Sequence, residues 1–297
     1  MQSMERSFYL LDVFAEGYYS GNQLAVFRNA ASLAAADMQH LSREVHFSET
    51  AFILSDLPDD DGYTVRVFTP AEEIPFSGHA VLGAAYILQS EVLGEPLTGL
   101  NLKVGTGPVT VSFAYQYGEV DTVWVNHNCP EHGRRMEPED AAALLGLSVD
   151  DVDTRWPIEE VSTGLPFVMV PVRSLAAVQR AAVVPDAYKR LVSTTGSRAV
   201  YVFAPETYNP ENDFNVRMFA ADYGIPEDPA TGAAAGCLAA YSMRYLKPAS
   251  SNLEFRIEQG HEIRRPSLLF ARAFRGSDHV RVAVGGRVHV VARGSFV

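Results

Sequence analysis

RMFAADYGIPEDPATGAAAGCLAAY, residues 217–241, is the stretch on which the fold turns. It opens as Arg-x-Phe and reaches Ile-Pro after five intervening residues. It then passes through an acidic, Pro-containing turn into a Gly- and Ala-rich segment that reads as a helix. The first half of the chain holds a partial double, RVFTPAEEIPFSGHAVLGAAY, residues 66–86. The same offset separates Phe219 from Phe68 and Ile225 from Ile74.

Working outward, more elements recur in one order. Ser20-Gly21-Asn22-Gln23 precedes a strand at Leu24 to Phe27, and Ser162-Thr163-Gly164-Leu165-Pro166 precedes one at Phe167 to Val170. Ser32-Leu33 and Ser174-Leu175 each open a helical stretch, and Ala51 to Leu54 matches Ala199 to Phe203. The offset drifts slightly along the chain, as small loop insertions would make it drift. Alternating strands and helices make any two halves look alike, but the shared Arg-x-Phe-x5-Ile-Pro spacing favours an internal duplication. The expectation is an α+β protein of two similar domains. The first is residues 1–118, with 286–297 returning to it as a final strand, and the second is residues 119–285. Further strands are expected near Phe8 to Phe14, Ser48 to Leu54, Tyr63 to Phe68, Leu100 to Val104, Val109 to Tyr115 and Asp121 to Val125. The polar segment Glu131 to Asp153 reads as a connection with one short helix, Pro138 to Leu147.

A length of 297 residues suits two domains. The net charge of −12 argues against a nucleic-acid partner, which needs clustered Lys and Arg. It also gives an anionic ligand no long-range attraction, so a carboxylate would have to be held by local dipoles. Two cysteines do not make a disulfide framework. The N-terminal MQSMERSFYLLDVFAEG has no basic region, long apolar run or small-residue cleavage site, and no apolar run is long enough to span a membrane. A cytoplasmic protein with no membrane partner is expected.

Candidate chemistry gathers at the two helix starts. Ser77-Gly78-His79-Ala80 and Ala230-Thr231-Gly232-Ala233 each place Gly beside the first turn, where unpaired N–H groups and the macrodipole favour an anion. Taken singly, each glycine reads as the cap of a core helix. As a duplicated pair they read as a clamp for a small carboxylate. Glu49, within SETAFIL, sits at the start of a strand, where an acid is unfavourable by propensity. Turned outward it is an ordinary strand-end acid, whereas turned inward it suits a general base. The second half has no matching acid. His79 follows Gly78 as a hydrogen-bonding partner at the helix start, and Asp228 precedes Pro229 at the mouth of the second helix. A plain reading leaves His79 as an exposed first-turn residue and Asp228 as an acid that offsets the helix dipole.

With these residues in view, the chain resembles the phenazine-biosynthesis PhzF-like family of the diaminopimelate-epimerase-like fold. The segments that carry the resemblance are DVFAEGYYSGNQLAVF, the SET around Glu49, FTPAEEIPFSGHAVLGAA, EDPATGAAAG and EQGHEIRRPS. The resemblance implies two pseudo-symmetric halves, each a barrel-like sheet around a central helix, with the active site in the cleft between them. It implies an isomerase that needs no metal or organic cofactor, and a homodimer. It carries the family's acid/base role onto Glu49, and substrate binding onto Ser77, Gly78, His79, Asp228, Gly232 and Ala233. Ala233 stands where the phenazine enzyme has Ser, one hydroxyl fewer. The resemblance therefore implies a cofactor-independent isomerase that moves a proton between carbons of a small carboxylate, in the manner of a dihydro-hydroxyanthranilate isomerase. A non-catalytic binding member of the family and an amino-acid epimerase or racemase are the alternatives. Racemases of the same superfamily use two facing cysteines at the helix starts. Here Ser77 and Pro229 hold those places, while Cys237 lies among Leu and Ala inside the helix.

Other motifs are weak. Gly105-Thr106-Gly107 lacks the third Gly of a dinucleotide fingerprint. His127-x-Cys129-x-x-His132 is too loose a cluster to indicate a metal.

Overall fold

The computed structural model describes residues 6–60, 62–195 and 197–296. The chain divides into two compact units: the part up to Asn126 together with Gly285 onward, and His127–Val284.

The first unit contains β1 (Arg6–Val13), β2 (Asn22–Phe27), α1 (Ala35–Val45), β3 (Glu49–Ile53), β4 (Tyr63–Phe68), β5 (Glu73–Ile74), α2 (Gly78–Ile87), β6 (Gly99–Val104), β7 (Gly107–Gln116) and β8 (Glu119–Asn126). The C-terminal strand, Val288–Phe296, pairs antiparallel with β1. Pairing continues through β2, β3 and β4, then β6, β7 and β8. The β2–β3 and β4–β6 pairs are parallel, and each is bridged by a helix, because parallel neighbours need a long crossover. Helix α2 touches β1 to β4, β6 to β8 and the C-terminal strand, so the sheet wraps around it. Eight of its ten residues are buried, which leaves it no solvent-facing stripe. The boundary falls after Asn126 rather than at Gly118, because β8 continues antiparallel from β7.

The second unit repeats this plan pair by pair. Its elements are β9 (Glu131–Met136), α3 (Pro138–Leu145), β10 (Ile158–Ser162), β11 (Pro166–Pro171), α4 (Leu175–Arg180), α5 (Pro185–Thr195), β12 (Val200–Ala204), β13 (Phe214–Ala220), β14 (Ile225–Asp228), α6 (Gly232–Tyr241), β15 (Asn252–Gln259) and β16 (Ser267–Arg275). A further strand, Val280–Gly286, leads back into the first unit. Strand β9 pairs with β10 as the C-terminal strand pairs with β1. The β11–β12 and β13–β15 pairs are parallel, matching β2–β3 and β4–β6. Helix α6 is again ten residues long and buried at nine of them. Both α2 and α6 run on into a π-helical turn, Leu88–Leu93 and Ser242–Leu246. Strand β9 replaces part of the expected connection, and α5 was not anticipated.

The repeated Arg-x-Phe motif has a physical basis in each unit. Arg66 makes a bidentate pair with Glu73, at 2.7 and 2.6 Å, and its guanidinium lies 5.2 Å from the Phe68 ring centroid. Arg217 does the same with Glu227, at 2.8 and 2.7 Å, over Phe219 at 4.8 Å. Arg217 is the more deeply committed. Its Nη1 also donates to the carbonyls of Val178, Gln179 and Ala181, which caps the end of α4.

Helix α6 packs on a small polar knot. At Gly236 a Cβ would lie 3.2 Å from Val282 and 3.4 Å from His127 Nδ1. His127 Nδ1 and Thr163 Oγ1 are 3.2 Å apart, and Thr163 Oγ1 is 3.8 Å from Cys237 Sγ. Burial pushes the Cys237 thiol up to about 12. It pulls His127 down to about 4, because Nε2 is shut off from solvent although the residue keeps partial exposure. Among the described residues no helix is long and apolar enough to cross a membrane.

Arg217→Ala strands a nearly buried carboxylate and three carbonyls, and should cost about 3–5 kcal/mol in chemical denaturation. Arg66→Ala breaks a more exposed pair and should cost about 1 kcal/mol or less. His127 binds a proton more readily in the unfolded chain than in the folded one. Stability should therefore fall as pH drops from 6.5 towards about 4. His127→Asn should flatten that slope by about 1 kcal/mol or more across the window, read from denaturation midpoints at several pH values.

Candidate active site

In the first unit, Glu49 begins β3, a strand flanked by β2 and β4 and so not an edge strand. Its carboxylate faces inward, with the side chain 13 % exposed. His79 is the second residue of α2, with its side chain 6 % exposed. Glu49 Oε2 and His79 Nε2 approach to 3.2 Å. They are not aligned for a hydrogen bond, so both atoms are buried without a hydrogen-bond partner among the described residues. Buried polar atoms without a partner are costly, and here two of them face each other.

Ser77 stands at the N-cap of α2 but makes no capping bond to the helix. Its hydroxyl lies 3.2 Å from His79 Nδ1 instead. If that hydroxyl donates, the ring carries its proton on Nε2, facing Glu49. The first helical bond of α2 runs from Val81 N–H to Ser77 O. The N–H groups of Gly78, His79 and Ala80 thus lack an acceptor within the helix. At Gly78 a Cβ would meet no heavy atom within 4 Å, so the backbone there can be approached closely. The expected residues Glu49, Ser77, Gly78 and His79 therefore converge.

In the second unit, Asp228 ends β14 and is buried. The Thr231 hydroxyl donates to Asp228 Oδ2. Gln259, the last residue of β15, has no exposed surface and holds the same loop. Its Nε2 donates to Asp228 O at 2.7 Å and to Thr231 Oγ1 at 3.0 Å, and its Oε1 accepts from Thr231 N at 3.1 Å. The first bond of α6, from Ala235 N–H to Thr231 O, leaves the N–H groups of Gly232, Ala233 and Ala234 without an acceptor in the helix. Asp228, Gly232 and Ala233 thus share one corner of this unit. Gln259 was not among the expected residues. The one hint in the sequence is an amide placed directly before Gly260, at a strand end.

Cys237 is fully buried, and its raised thiol is a poor source of thiolate. His132 Nδ1 is engaged with Glu159 at 2.6 Å, and Tyr245 donates to the same carboxylate at 2.8 Å. Among the described residues no three His, Cys, Asp or Glu side chains are grouped to hold a metal ion.

Comparison with known proteins agrees with this fold. The family model PhzC-PhzF, described as phenazine biosynthesis-like protein, matches residues 11–294. A trans-2,3-dihydro-3-hydroxyanthranilate isomerase of Pseudomonas chlororaphis is 34% identical over 289 residues, covering 97% of this chain and 98% of its own. A solved PhzF-family phenazine biosynthesis protein of Bacillus anthracis superposes with a TM-score of 0.89 at 25% identity, covering 99% of both chains. A Pseudomonas aeruginosa protein described as a predicted epimerase superposes at 0.82 with 32% identity, covering 98% of this chain and 99% of its own. The family model spans nearly the whole chain and the isomerase relative is alike along almost its full length, so the chain belongs to the PhzC-PhzF phenazine biosynthesis-like family.

Proposed function

We propose that this protein is a cofactor-independent isomerase that moves a proton between carbons of a small cyclic carboxylate, with Glu49 as the general acid/base. The observation that carries the reading is the buried, mutually unsatisfied contact of Glu49 Oε2 with His79 Nε2 beside the open N-terminus of α2. Trans-2,3-dihydro-3-hydroxyanthranilate, named in the isomerase relatives, is the first substrate to try.

In the proposed step Glu49 takes a proton from a carbon next to a double bond. The C–H electron pair enters the conjugated system, and the double bond shifts. The same carboxyl group then returns the proton at the far end of that system, so nothing is oxidised or reduced. One carboxylate serves both halves of the step if both carbons lie within its reach. His79, oriented by Ser77, holds a polar substituent of the substrate, and the backbone at Gly78 accepts the carboxylate. Asp228, Gly232 and Ala233 supply further polar and backbone contacts. With Ala at 233 the contact there is a backbone N–H and not a hydroxyl.

Incubation of the protein with this substrate in D2O, followed by NMR, tests the reading. Deuterium should appear at the carbon that gains the proton, with the double bond moved. Glu49→Gln should lower kcat by about 10²- to 10⁴-fold at unchanged fold. Cys237→Ala should keep a rate close to that of the parent. Full activity in Glu49→Gln would remove Glu49 from the mechanism. Exchange at a single carbon with inversion and no double-bond shift would favour an epimerase instead. Tight binding with no exchange would favour a non-catalytic member.

A further inference from the structure

We propose that Gln259 is a positioning residue that holds the Asp228 carboxylate in its working orientation through Thr231. The proposal rests on the reading of Asp228 as a substrate-orienting group. Gln259 lies at the end of β15, remote in sequence from the loop it braces.

The hydrogen bonds fix their own direction. Asp228 O can only accept, so the Gln259 side chain must present Nε2 to it. Thr231 N–H can only donate, so Oε1 must face it. With the amide locked, Nε2 also donates to Thr231 Oγ1. That oxygen already accepts, so its own proton is turned towards Asp228 Oδ2, where the short contact lies. The result is a directed chain from the Gln259 amide through the Thr231 hydroxyl to the Asp228 carboxylate. Such chains polarise in one sense and resist rotation of the terminal group.

The backbone reinforces the brace. Gly260, which follows Gln259, has φ +81°, and a Cβ there would sit 2.7 Å from Pro229 O. The end of β15 thus approaches the Asp228–Thr231 loop as closely as a glycine permits. Asn at 259 would be one methylene short, and Leu would fill the space without a single donor. Two of the Gln259 bonds end on backbone groups of this loop, and the third passes through the Thr231 hydroxyl to a carboxylate at the mouth of α6.

A double-mutant cycle on the full-length protein, with trans-2,3-dihydro-3-hydroxyanthranilate as the probe, separates positioning from simple support. Gln259→Leu alone should lower kcat by about 10- to 100-fold, with a smaller change in KM. In an Asp228→Asn background the same change should cost about twofold or less, because the group it positions has already been altered. Equal fold-losses in the two backgrounds would overturn the proposal. Should Gln259→Leu fail to fold, Gln259→Glu, which keeps length and volume but loses the donors, takes its place. Amide exchange at Thr231 reads the brace without turnover. Its protection should drop about tenfold or more in the variant while the β15 amides hold theirs, and unchanged protection would also overturn the proposal. Glu49→Gln measured in parallel reports on the base alone. Loss of the isomerase reading, seen as no turnover by the unaltered protein, is thereby distinguished from loss of this one.

Discussion

Everything near the candidate site depends on a helix that has no face for water. Apart from His79 and Tyr86, helix α2 is built from Gly, Ala, Val, Leu and Ile, and it lies within its sheet. At Gly83 an added Cβ would come 2.3 Å from the Leu24 side chain and 3.0 Å from that of Leu11. The strands close on α2 only because it is thin there. Helix α6 obeys the same rule, with Gly236 against Val282 and Val284. A helix enclosed in this way presents its ends to a ligand, and at the N-terminus the ends are N–H groups.

That constraint explains where the chemistry sits. Strand β3 runs along α2 and delivers Glu49 beside its first turn, so the carboxylate meets His79 by construction. The second unit has the same scaffold with a different charge. It has no acid in the position of Glu49 and instead places Asp228 in a loop fixed by Thr231 and Gln259. On the proposed isomerase reading, one scaffold used twice with an acid at the start of β3 in the first half alone fits a proton shift by one base better than a two-base racemisation.

Much of this was legible in the residues. The matched Arg-x-Phe-x5-Ile-Pro segments gave the duplication, and each Arg turned out to clamp an acid and cover the Phe of its own motif. Glu49 and the two Gly-flanked helix starts were legible because each breaks a local preference. Other features were not. Strand β9, EHGRRM, is charged and largely exposed, without the alternation that signals a half-buried strand, so it read as a connection. Ser77 was carried over as a substrate-binding residue, and its contact with His79 Nδ1 was not legible in the sequence. Gln259 acts on a loop 28 to 31 residues away, and spacing within a strand says nothing about such a partner.

The central claim is that the Glu49 carboxylate, set against His79, exchanges protons with carbon. A crystal structure of Glu49→Gln with trans-2,3-dihydro-3-hydroxyanthranilate bound tests it most directly. The account predicts both reacting carbons within about 3–3.5 Å of the residue 49 side chain, with the substrate carboxylate on the N–H groups at Gly78. A substrate bound with neither carbon near residue 49 would contradict it.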